Sequence, residues 1–385
     1  MILPTAHPHR SADPRHRHPR HVRMGIPLRQ VACLLAIPVA YSITANTSAS
    51  GQEPVRVSGA VTCQECTITL DTVVTIGGLD GPGVGAIGRM SSVAIDRRGR
   101  ILVWNAAEAE IAVFDMTGGF VRTVGGRGEG PGEYSSISRI DTGPRYIHVF
   151  EYHQGRTVLD HDFNVIRTDM FPGQILNTFV TESDEVAFAA SVPTSTSTGY
   201  RFHLLGESGN TVSFGEGAES ARGATAPQDM FAAAGDSEAL WFVAVQRNRV
   251  MRWDLAPEPT LTKVFDRAVE EFDRHDDPTS WPGVANGGAR IDEDGLWIVW
   301  TTPDPDAPPT GLGQPVPQVP WRELFDGWID LVDPSTGATL ARYHGDEFLA
   351  GFAAGSRYVV THQETDAGVP YIHLLEPRLS RGPGN

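Results

Sequence analysis

Lysine is nearly missing from this chain of 385 residues: Lys263 is the one lysine, and every other cationic side chain is Arg. With 31 basic against 47 acidic residues the formal net charge is −16, and no basic tract interrupts the acidic background. A surface of that sign repels phosphate backbones and anionic lipid, which excludes nucleic acids and anionic membranes as general partners. Cysteine is scarce, with only Cys33, Cys63 and Cys66. The single long apolar run, residues 31–45, is broken by Pro38 and falls short of the ~20 residues that a spanning helix needs. Stable membrane insertion is therefore not expected. Glycine and proline are plentiful, 41 and 28 copies, about 18% of the chain against ~12% in average usage. That composition favours short strands and many turns over a helical bundle.

The first 51 residues read as a leader. Residues 1–23 hold five His and five Arg, Met24 opens a second start, Arg29 supplies a basic flank, and Ala49-Ser50-Gly51 is a small-residue exit. Residues 1–51 are thus an extension plus a secretory signal peptide, with cleavage expected near Gly51 and a secreted or periplasmic location. Removing their six Arg and one Asp from the 31 basic and 47 acidic residues leaves a net charge of −21. A short linker at 52–62, a body at 63–380 and a tail at 381–385 complete the organisation. Of the cysteines only Cys63 and Cys66 remain. An oxidising compartment favours a local disulfide between them. A redox dithiol and half a zinc site are the other readings of C-x-x-C, but the strand-like Thr67-Ile68-Thr69-Leu70 follows and no second pair exists.

The body reads as strands throughout. Residues 92–95, 100–104, 110–115 and 120–124 are four short strands, and the pattern restarts at 137–140, 146–150, 156–159 and 165–168. Four strands per unit is the rhythm of a propeller blade. The second strand of each unit falls at Val103, Val149, Phe188, Val243, Val299 and Val360, which makes six units. The last unit has room for three strands only, while residues 67–76 form a strand with no unit of its own. That N-terminal strand is expected to complete the C-terminal blade and close the ring. The expectation is an all-β, six-bladed β-propeller with four-stranded blades.

The links between units repeat as well. Thr75-Ile76-Gly77-Gly78 leading to Gly81-Pro82-Gly83 matches Thr123-Val124-Gly125-Gly126 leading to Gly130-Pro131-Gly132. These stretches, continued through Ser92-Val93-Ala94-Ile95-Asp96 and Ile147-His148-Val149, resemble NHL repeats, which build many six-bladed propellers. Secreted bacterial proteins of this type look similar. The resemblance implies the ring and an extracytoplasmic setting. The loop before the third strand often carries Asp, Asn and Arg in that repeat; here it carries Asn105, Glu108 and Glu110, then Glu151, Gln154 and Arg156, so no NHL function is carried over.

Strand direction places the blade links and the loops from second to third strands on one face. Binding candidates on it are Arg127 and Glu129 in a link, Asn105, Glu151 and His153 after second strands, and Trp300 and Trp321 beside an insertion. Two long insertions fall there, residues 268–283 and the Pro-rich 301–326, from neighbouring blades four and five. They are expected to form a partial cap. The acids Asp273, Asp276 and Asp277 with His275 fit no calcium loop, and Gly206-Glu207-Ser208-Gly209-Asn210 fails as a nucleophile elbow. No metal ligands and no catalytic residues are assigned, and no cofactor is expected. The reading is a monomeric binding or scaffold module for a protein, peptide or glycan. The alternative is a metal-dependent hydrolase or lyase, with a divalent metal at the channel mouth.

Overall fold

The computed structural model describes residues 53–78, 92–152, 155–170, 178–192, 200–215, 231–235, 238–244, 248–273, 280–281, 283–307, 310–311, 320–365 and 368–382. The chain divides into Met1–Ser42 and Ile43–Asn385, and all described residues belong to the second unit. The expected leader lies outside them, as do His153 and most of the acidic stretch 273–277.

Strands β1 (Val55–Ser58) and β2 (Cys66–Gly77) precede the first blade. Blade one holds β3 (Val93–Ile95), β4 (Ile101–Asn105), β5 (Glu110–Phe114) and β6 (Phe120–Gly125). Blade two holds β7 (Ile137–Thr142), β8 (Tyr146–Glu151), β9 (Gly155–Asp160) and β10 (Val165–Met170). Blade three is β11 (Thr178–Val180), β12 (Val186–Val192), β13 (Tyr200–Leu205) and β14 (Thr211–Phe214). Blade four is β15 (Phe231–Gly235), β16 (Ala239–Ala244), β17 (Arg249–Asp254) and β18 (Thr260–Ala268). Helix α1 (Glu270–Asp273) and β19 (Ser280–Trp281) lie before blade five, which holds β20 (Ala285–Asp292), β21 (Gly295–Pro303), β23 (Phe325–Val332) and β24 (Thr339–Gly345). Between β21 and β23 runs an insertion with β22 (Thr310–Gly311). Blade six adds β25 (Leu349–Phe352), β26 (Val359–Glu364) and β27 (Pro370–Arg381).

Each blade is antiparallel in chain order, first strand innermost. Blade six takes β2 as its outer strand, in register from Cys66 opposite Arg381 to Gly77 opposite Tyr371. The molecule is a six-bladed β-propeller closed by its N-terminal strand. Inner strands meet around the axis; the circle shuts where Ile95 N donates to Ala354 O at 2.8 Å and Ala354 N to Val93 O at 3.0 Å.

Second strands such as β4 and β16 are buried on both faces, so they read as unbroken apolar runs. Outer strands such as β10 are largely exposed and more polar. Alternation then assigns the two faces to two seams. Ile101 and Val103 pack toward blade six with Val360 and Ile372, whereas Leu102 and Trp104 pack toward blade two with Ile147 and Val149. Turns on the far face are held by side-chain caps. Asp96 accepts from the N–H of Arg98 and of Arg100, both at 2.9 Å, and Asp115 from those of Thr117 at 2.8 Å and Gly119 at 3.0 Å.

The segment read as a linker does more than connect. β1 runs parallel to β18 as a fifth strand on blade four. Thr62 N and Cys63 N then donate to Thr339 O at 2.9 Å and Leu340 O at 3.2 Å on blade five, and β2 follows on blade six. Residues 55–77 thus form a belt over the outer rims of three blades. Cys63 and Cys66 are disulfide-bonded where the belt passes from blade five to blade six, with Cα atoms 5.3 Å apart. Beneath the belt, buried Asp330 receives Arg267 Nη2 at 2.5 Å and Arg342 Nε at 2.6 Å, and Arg342 Nη2 reaches Gly59 O at 3.2 Å. Burial alone would raise the Asp330 carboxyl; the two guanidinium groups hold it below the usual carboxylate range.

Candidate functional site

Two regions can carry recognition: the link face, where the sequence placed its candidates, and the opposite mouth of the channel. On the link face the blade one–two link folds into a compact loop around Tyr134. Tyr134 N donates to Gly126 O at 2.8 Å, and the ring is fully buried, edge-on to Trp104 with centroids 6.5 Å apart. Gly125 has φ +83°, and a Cβ there would lie 2.5 Å from the Tyr134 ring, so this link glycine is dictated by the inserted aromatic. The Tyr134 hydroxyl is buried without a partner; burial first, and the Glu151 charge second, raise its pKa. Nothing in the sequence reading singled out Tyr134, although its place directly after Gly130-Pro131-Gly132-Glu133 is the available signal.

The candidates on this face divide by exposure. Arg127 and Glu129 are exposed on the loop, and Arg127 Nη2 donates to Ala107 O at 3.2 Å. Glu151 is half-buried and accepts from Ser135 N at 3.0 Å. Asn105 is 1% exposed, and neither end of its amide has a partner. It follows Val103 by two residues, so alternation turns it into the blade six–one seam. His362, two residues beyond Val360, faces the same seam from the other side. Trp300 is fully buried between Phe272 of α1 and Trp328, with centroids at 5.8 and 4.8 Å. It anchors the first insertion and offers no free face to a ligand. Trp321 starts a 3-10 turn, Trp321–Glu323.

The two insertions meet. β19 pairs antiparallel with β22, Ser280 opposite Gly311 and Trp281 opposite Thr310. The base of the second is fastened by Asp304 N to Leu324 O at 2.9 Å and by a small cluster of Leu324, Phe325 and Phe348.

At the other end the channel opens into a cavity of about 410 Å³. Its walls are the ends of inner strands and the turn after β25: Thr142, Val180, Gly235, Ile291 and residues 353–357. These lie at the ends opposite the links. Three guanidinium groups line it, Arg139, Arg290 and Arg357, with the carboxylate of Asp141. Asp141 is fixed by Arg139 Nε at 2.9 Å and by the hydroxyl of Thr178; its burial raises the carboxyl pKa. Across the ring Arg290 pairs with Asp292 at 2.6 Å and lies 5.6 Å from the ring centroids of both Trp297 and Phe352. Burial is the main cause that lowers the Arg290 pKa, and the positive charge of Arg357 lowers it further. Arg357 pairs with Glu376 at 2.6 Å, a carboxylate that also takes Arg378 at 2.6 Å. The strands of blades five and six approach closely beside this wall because Gly351 has φ +120° and faces Gly287 O, 2.3 Å from where its Cβ would stand. Among the described residues no three His, Cys, Asp or Glu side chains are grouped to hold a metal, and no helix is long and apolar enough to cross a membrane.

By fold, then, the chain is a six-bladed propeller with one channel cavity among its described residues that is rich in arginine. A family model described as a 6-bladed beta-propeller matches residues 84–232. A protein of Bacteroides fragilis described as exported aligns with TM-score 0.54 and 11% identity, over 86% of this chain and 100% of that one. A DUF4221 family member from Bacteroides vulgatus aligns with TM-score 0.50 and 9% identity, over 82% of this chain and 99% of that one. At such identities the likeness is one of fold alone. A streptogramin B lyase structure aligns with a TM-score of 0.42, too low to bear on the chemistry of this chain. No curated protein matches the chain.

Proposed function

We propose that this chain is a secreted or periplasmic propeller of NHL type that acts as a binding or scaffold module, recognising a protein, peptide or glycan on its link face. The observation that supports this reading is the pairing of β19 with β22. The ring needs only a short hairpin between β21 and β23 and a short link between blades four and five. Instead both connections are long and are joined by a strand pair of their own. Connections beyond ~12–15 residues in a compact domain are usually functional or disordered. The rigid blades hold this added element in place, and ordered, preformed surface lowers the entropy lost on binding.

Replacing residues 305–319 by a short Gly-Ser linker tests it. Loop-closure cost changes only with the logarithm of length, so the melting temperature should move by no more than about 4 °C. The same variant should lose the glycan-array or pull-down signal of the parent protein. A collapse of stability would make the insertion structural packing. Binding unchanged by the replacement would put recognition elsewhere on the ring.

A further inference from the structure

The channel cavity lies on the face away from the insertions and has a chemistry of its own. In a chain of net charge −16, three of its arginines converge on one mouth. Among the described residues the only carboxylate in the lining is Asp141, on blade two, and it is held by Arg139 and Thr178. Arg290, on blade five opposite blade two, and Arg357, in the β25–β26 turn of blade six, line the cavity across from Asp141 and its partner Arg139. Arg357 is paired with one oxygen of Glu376, whereas Arg290, beyond its pair with Asp292, keeps a buried Nε–H with no acceptor. The positive charge of Arg357 disfavours that of Arg290, and an anion bound beside them relieves it. Arg290 lies within cation–π range of Trp297 and Phe352, 5.6 Å from each ring centroid, and a guanidinium so flanked suits recognition of a carboxylate. Arg357 is 59% exposed at the rim, where it can meet an entering ligand.

We infer that the turn-face mouth of the channel is a binding site for a small hydroxycarboxylate. Its carboxylate lies between Arg290 and Arg357, and its hydroxyl groups reach the Asp141 side. A cavity of about 410 Å³ is the size of a site for a small organic acid, within the ~300–1,000 Å³ of ligand pockets. The inference does not rest on the link-face reading, because none of these residues belongs to either insertion.

Titration calorimetry with glycolate, tartrate, gluconate and galacturonate, with galactose and inorganic phosphate as controls, tests the site on the full-length protein. At least one hydroxycarboxylate should bind with millimolar or better affinity, and galactose, which has hydroxyls but no carboxylate, should not. Arg357→Gln, at an exposed rim position, should weaken binding about tenfold. Asp141→Asn should reduce the preference for hydroxycarboxylate over phosphate. The inference is overturned if none of the four acids binds, if galactose binds equally, or if Arg357→Gln leaves affinity unchanged. Phosphate binding as well as the best acid, with no effect of Asp141→Asn, would overturn the ligand class. Because the insertion-shortened protein keeps this cavity, loss of acid binding and loss of link-face binding are read separately.

Discussion

Two buried histidines show how individual residues set the response of this fold to pH. His148 lies fully buried with both ring nitrogens unpartnered, and burial lowers its pKa to about 3. Burial likewise lowers that of His362 to about 4. Both are neutral in the folded ring, whereas the unfolded chain protonates them below pH ~6.5. The unfolded state therefore binds more protons between pH ~6.5 and those lowered values, and stability falls as pH drops through that window. Each histidine should cost about 2 kcal/mol by pH ~5 relative to neutral pH, to order of magnitude. Urea denaturation at both pH values measures this, and the pH dependence should shrink in His148→Leu. An unchanged pH slope in that variant would assign the loss to other groups. Asp330 is the opposite case, a buried charge that must be present. Asp330→Asn leaves Arg267 and Arg342 without their carboxylate and should destabilise by about 3–5 kcal/mol, read from the denaturation midpoint. A loss under about 1 kcal/mol would mean that the arginines find other acceptors.

At the scale of elements the belt is the decisive feature. β2 buries Ile68, Val74 and Ile76 against blade six, worth about 5–9 kcal/mol in apolar burial. That is comparable with the whole stability of an ordinary domain, ~5–15 kcal/mol. A protein starting at residue 78 should therefore fail to unfold cooperatively and should aggregate; a soluble, cooperative monomer would disprove the closing role of β2. This strand was legible in the sequence because residues 67–76 alternate and the last unit was one strand short. β1 was not. Val55-Arg56-Val57-Ser58 is too short to carry a periodic signal, and its partner β18 lies some two hundred residues further along the chain. The pairing of β19 with β22 was hidden for the same reason, since two-residue strands have no period to read.

The whole molecule sorts the candidates differently from the sequence. The link face was found from strand direction alone, and Arg127 and Glu129 are exposed on it. Trp300 stood out because it borders an insertion, yet it shares its strand face with Leu296 and Ile298, which pack into the blade four–five seam. Alternation along β21 was the signal that its ring is core. Arg139, Arg290 and Arg357 drew no notice, because nothing local distinguishes them from the other arginines of the chain. Only closing the ring brings the inner ends of blades two, five and six together and makes those side chains line one cavity.

By itself the sequence determined the strand rhythm, the six units, the glycine-rich links and the missing outer strand. All of these follow from local periodicity, turn chemistry and the count of apolar strands, which act within a few residues or within one blade. The tertiary structure alone decided which residues share the channel mouth, how the belt crosses three rims, and that the two insertions meet. Those contacts join residues tens to hundreds apart, and they form because a closed ring forces the inner ends of all six blades together around one axis.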